Sequence, residues 1–96
     1  MKGYVTDIEE ATLKNSLYRQ VLFTAKNSQL VLMSLKPGEE IGEEVHELDQ
    51  FLRFEAGDGT VILDGQDHAV LDGCAVVIPS GTRHYVINTS TSADLK

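Results

Sequence analysis

The sequence predicts an all-β fold in a single domain, and three observations predict it. The chain has 96 residues, a length that one domain accounts for. Its apolar runs are short, rich in Val, Ile, Leu and Phe, and bounded by Gly, Pro, Asn and Asp, which is the pattern of successive strands and turns. No helical period intervenes between these runs, so alternating strand–helix units are excluded. Hydrophobic residues make up 42% of the chain, enough to build a packed core rather than a disordered coil.

Taken in order, residues 7–16 (DIEEATLKNS) read as one short helical turn, with Asp7 as its cap and Glu10 three positions on. Residues 17–24 and 29–36 are rich in β-formers, and AKNS between them reads as a hairpin connection. Pro37, Gly38 and Gly42 break the pattern over residues 37–42. Strands follow at 50–56, 60–64, 68–71, 74–79 and 84–90, separated by GDG, GQD and DG turns. GDGTVILDG is glycine-rich, but it precedes no helix and is a hairpin, not a phosphate loop. After Asn88 only TSTSADLK remains. Residues 93–96 have room to begin a strand but not to finish one, which predicts an open edge. Such an edge invites pairing with another chain, and a small core gains from a partner. A homodimer is therefore expected, with the N-terminal segment or the strands at 17–36 over the edge.

Composition narrows the function. The net charge of −7 repels phosphate backbones, so nucleic acid is not an expected partner. No apolar run approaches the roughly 18 residues that a membrane span needs, and the first residues are polar and acidic, unlike a signal peptide. Cys74 is the single cysteine, so no internal disulfide forms, and a reducing, cytoplasmic setting is expected. Cys74 precedes an apolar run and reads as a small buried hydrophobe rather than a nucleophile. His68 follows a turn and reads as exposed. Arg53 and Phe51 share the outward parity of their strand, so Arg53 is expected to form a surface salt bridge with Glu55 or another acid and Phe51 to meet a second subunit.

Two stretches carry the chemistry. In GEEIGEEVHELDQFLRFEAG, residues 38–57, strand alternation from residue 44 to 54 would put Glu44, His46, Leu48, Gln50, Leu52 and Phe54 on one face. That face is polar at one end and apolar at the other, with a break in the alternation expected near Leu48 and Asp49. In IPSGTRHYVIN, residues 78–88, Pro79, Ser80 and Gly81 make a turn that fixes where His84 joins a strand.

These stretches resemble the two sequence motifs of the cupin superfamily. The first has the spacing Gly, five residues, His-x-His, three or four residues, Glu, six residues, Gly. Gly38, His46 and Gly57 match it, while Glu44 stands at the first His and Gln50 at the Glu. The second, Gly, five residues, Pro-x-Gly, two residues, His, three residues, Asn, is matched at every position by Gly73, Pro79, Gly81, His84 and Asn88. The resemblance implies an RmlC-like jelly-roll β-barrel in which Glu44, His46, Gln50 and His84 converge. Two imidazoles, one carboxylate and one amide oxygen suit a divalent ion such as Zn, Ni, Fe or Mn. Glu44 also restores the formal charge that Gln50 removes. The expected function is a metal-dependent barrel that binds or transforms a small polar metabolite. The alternative is a metal-free module that binds or senses a small ligand, and a third reading is a mainly dimerising structural subunit.

Overall fold

The computed structural model describes residues 3–96. The predicted helical turn is α1, Ile8–Lys14, and Asp7 caps it by accepting the Glu10 amide at 3.0 Å. Eight strands follow: β1 Arg19–Thr24, β2 Gln29–Met33, β3 Glu40–Glu44, β4 Gln50–Arg53, β5 Asp58–Leu63, β6 Gln66–Leu71, β7 Ala75–Ile78 and β8 His84–Asn88. All their ladders are antiparallel. The strands form a four-stranded sheet ordered β3-β8-β5-β6 and two pairs, β1-β2 and β4-β7.

Residues 37–42 do more than break the pattern. β3 begins at Glu40 and runs through Gly42, and its register against β8 shifts between Ile41 and Glu44. Gly42 thus lies at an irregularity inside a strand, where glycine is tolerated and marks a bulge. The alternation expected from 44 to 54 stops at Glu44, because residues 45–49 form a loop before β4. Leu48, which alternation placed inward, is consequently exposed.

The C-terminal segment makes a single bridge rather than a full strand, in line with the limited room at residues 93–96. Leu95 pairs with Leu35 through both backbone hydrogen bonds, each 2.8 Å. Lys96 donates its amide to the Ala56 carbonyl and accepts from the Glu55 amide. Phe54 bonds in turn to Cys74, just before β7. One bridge therefore stitches the end of β2 to β4 and β7, giving a second layer opposite the four-stranded sheet. Gly59 makes the close approach possible, since a Cβ there would lie 2.6 Å from Leu95 Cδ2 and 2.7 Å from the Ile87 carbonyl.

Leu35, Phe54, Val61, Val70, Val86 and Leu95 fill the core between the layers. Asn88 is buried with them and satisfied throughout. Its Nδ2 donates to the carbonyls of Leu35 and Ala93, and its Oδ1 accepts the Ser90 amide, each at 2.9 Å. No ladder joins β6 to β7 among the described residues. An open cleft of about 300 Å³ lies there, lined in part by Leu63, His68, Val70, Cys74 and Val76. No helix among the described residues is long and apolar enough to cross a membrane.

Candidate metal centre

β8 positions the most buried member of the site. Its burial alternates, so His84, Val86 and Asn88 face the core while Tyr85 and Ile87 face outward. His84 is 3% exposed. Its Nδ1 lies 3.1 Å from the Thr82 carbonyl. A carbonyl only accepts, so Nδ1 carries the proton and, in the neutral ring, Nε2 presents its lone pair.

The other two members come from the end of β3 and the loop after it. Glu44 pairs with His84 across the β3-β8 ladder, which places both side chains on one face. Its Oε2 stands 3.8 Å from His84 Nε2 and 2.8 Å from His46 Nε2. The His46 and His84 rings lie 5.5 Å apart between centroids and are tilted by 40°. One ligand atom from each of Glu44, His46 and His84 falls within a sphere where all are within 4.8 Å of one another. Donors that share a first-row divalent ion at about 2.1 Å stand roughly 3.0–3.5 Å apart, so Glu44, His46 and His84 are near the spacing at which they would hold one. An ionised carboxylate accepts only, so His46 donates the proton in its bond to Glu44. That proton would have to leave Nε2 before His46 could hold a cation through this nitrogen.

Gln50 is the fourth residue singled out by the sequence. It opens β4, half-buried and opposite Ile78, and its side chain takes no part in the hydrogen bonds of the trio. His68 is exposed, as expected, yet it pairs with the fully buried Val61 across β5-β6. It therefore sits on the inner side of the edge strand and lines the cleft. Cys74 is half-buried against the core, in keeping with the small-hydrophobe reading. Arg53 pairs with Glu55 at 2.9 Å, though Glu55 is buried rather than on the surface. That hydrogen bond and the carboxylate's charge hold the guanidinium pKa above its ordinary value.

On the opposite side of the β3-β8 pair, Arg83 Nε meets Glu43 at 3.1 Å. The hydrogen bond that the Tyr85 phenol donates to Glu43, then the carboxylate's negative charge, raise the phenol above its ordinary range. Residues the sequence reading passed over hold the trio in place. The Thr82 carbonyl sets the His84 tautomer, and the loop carrying His46 is tied to the turn before β8. Neither follows from residue type, because both depend on backbone groups meeting across the fold.

Comparison with known proteins places this geometry in context. The family model described as a cupin domain matches residues 31–96. An uncharacterized protein of Acanthamoeba polyphaga mimivirus is 45% identical over 97% of this chain and 61% of its own length. The uncharacterized protein YrkC of Bacillus subtilis is 45% identical over 95% of this chain and 53% of its own. The chain thus spans a little over half the length of these two relatives. A solved structure from Bacillus halodurans, BH2720, superposes with a TM-score of 0.95 at 40% identity, covering 99% of this chain and 76% of that one.

Proposed function

This chain belongs to the cupin family, and on that premise we propose that Glu44, His46, Gln50 and His84 hold one divalent ion of the Zn, Ni, Fe or Mn class. With it the protein binds or transforms a small polar metabolite. The observation that carries this reading is the convergence of Glu44, His46 and His84 within 4.8 Å. The donor set fits such an ion, since two imidazoles and a carboxylate are a recurring arrangement for borderline divalent metals. When bound, the ion supplies a Lewis acid for a substrate oxygen. The chain's own residues do the rest. Thr82 holds the buried His84 with Nε2 free, Glu44 offers the negative charge, and His46 gives up its Nε2 proton to become a donor. Gln50 joins through its amide oxygen, leaving its NH2 to donate elsewhere.

The second reading, a metal-free module for a small ligand, is favoured by one observation. Glu44 and His46 already satisfy each other at 2.8 Å. Calorimetric titration of the metal-free protein with Zn(II) separates the two. The metal reading expects one ion per chain, bound more weakly as pH falls, because protons compete for both imidazoles. It expects Gln50→Glu to keep or raise the affinity by adding a charge. Absence of saturable uptake leaves the metal-free module. Gln50→Leu with unaltered affinity makes Gln50 a wall of the pocket.

The proposal includes a homodimer. Phe51 and Val77 are cross-strand partners on the outer face of β4-β7, 67% and 61% exposed. A second copy would cover them through a two-fold contact. Sedimentation at micromolar concentration is expected to give twice the chain mass, and a monomer there removes this part of the proposal.

A further inference from the structure

We propose that Asp49 is a positioning residue for the metal centre, acting as a clasp that holds the His46 loop over His84. The inference rests on the metal reading above and extends it to a residue outside the ligand set. The problem the fold must solve is local. His84 is fixed by a strand, but His46 sits in the loop 45–49 between β3 and β4, where no ladder holds the backbone. The solution comes from the turn preceding β8. Pro79 accepts the Thr82 amide at 3.1 Å, and Gly81 has φ +84, as a turn with a positive φ at its third position requires. Such a turn leaves the amides of its two central residues, here Ser80 and Gly81, without partners inside the turn. The loop supplies an acceptor to each. The Gly81 amide donates to the His46 carbonyl at 2.8 Å, and the Ser80 amide donates to Asp49 Oδ1 at 2.9 Å.

The two bonds do different things. The first holds the His46 backbone and survives any side-chain substitution in the loop. The second is the one side-chain tie among the described residues between this loop and the turn, and it pins the loop's far end where β4 begins. Without it, the loop is held at its ends by β3 and by Gln50 at the start of β4, and between them by a single backbone bond to the turn, so His46 has more freedom beside Glu44 and His84. A residue that orients a ligand without touching the metal typically changes affinity by about 10- to 100-fold. Asp49 is exposed, so its removal leaves no cavity and the fold stands.

The test uses the full chain as Asp49→Ala and Asp49→Asn, and it has two readouts. Amide hydrogen exchange of the metal-free protein reads the clasp directly. Ser80 is expected to exchange faster in Asp49→Ala and at the wild-type rate in Asp49→Asn, which keeps the acceptor oxygen. Zn(II) titration reads the positioning. Asp49→Ala is expected to bind about tenfold more weakly, with Asp49→Asn close to wild type and the metal-free melting midpoints of all three alike. A purely structural role would instead lower the midpoint and leave the affinity of the folded protein unaltered. Wild-type Ser80 exchange in Asp49→Ala, or wild-type Zn(II) affinity in that variant, overturns the inference and leaves the metal reading intact. A wild-type protein that takes up no Zn(II) overturns the metal reading and the positioning role together. The exchange readout then still decides whether Asp49 fastens the loop.

Discussion

His84→Ala is expected to lower Zn(II) affinity by at least 100-fold while leaving the strands in place. The effect is large because this ring is the rigid member of the trio. It is 3% exposed, held by the β3-β8 and β5-β8 ladders on either side, and oriented by the Thr82 carbonyl. Its Nε2 is therefore presented without a conformational search, and preorganisation of this kind is what makes a ligand effective. His46→Ala is expected to cost less, since that ring sits on a loop and is 38% exposed in its side chain. Calorimetric titration of both variants checks the order. Equal losses, or a larger loss at His46, would show that burial and tautomer control at His84 are not what organises the site. Circular dichroism of the metal-free variants separates a lost ligand from a lost fold.

Leu95→Ala is expected to destabilise the protein by about 2–5 kcal/mol, the range for truncating a buried leucine. A single residue carries this weight because of where it sits. Leu95 is 2% exposed, packs in the central core, and bridges to Leu35 through the pair of backbone bonds that joins the two halves of the second layer. Removing its side chain opens a cavity against Gly59, which has no Cβ with which to fill it. For a domain of this size that is a large share of a total stability of about 5–15 kcal/mol. Leu95→Met, which nearly conserves volume, is expected to cost less than about 1.5 kcal/mol. Urea unfolding of the two variants measures the difference. Similar midpoints for Leu95→Ala and the wild type would mean that the C-terminal bridge does not hold the layers together.

Much of this architecture is legible in the residues themselves, and the parts that are not have physical reasons. The cap of α1 is local, since Asp7 reaches an amide only three positions away. The inward side of β8 follows from a period of two, which puts His84, Val86 and Asn88 on one face whatever they pack against. The start of β3 is hidden because Pro37, Gly38 and Gly42 resemble turn residues. Only the partner strand shows that Gly42 occupies a shifted register inside a ladder. The C-terminal bridge is hidden for a deeper reason. Ser-Thr-Ser-Ala-Asp around residues 90–94 has no strand pattern, and its place depends on Leu35, Ala56 and Gly59, which are far away in sequence.

The candidate site divides in the same way. The resemblance to the cupin motifs singles out Glu44, His46, Gln50 and His84, and the structure brings three of them, Glu44, His46 and His84, together, but residue type does not rank them. The ranking needs the ladder that sets Glu44 beside His84, the loop that leaves His46 half-exposed, and the turn amides that fasten it. Asp49 escapes a motif reading because its partner is a backbone N–H, which any residue but proline provides.

The measurement closest to the central claim is X-ray absorption at the zinc edge of the protein loaded with one equivalent of Zn(II). Coordination by Glu44, His46 and His84 predicts nitrogen and oxygen donors at about 2.0–2.1 Å, with the outer-shell scattering of two imidazole rings, falling to one ring in His84→Ala. A sulfur shell at about 2.3 Å, which only Cys74 or a methionine could supply, or an absence of imidazole scattering, would place the ion elsewhere and contradict the account.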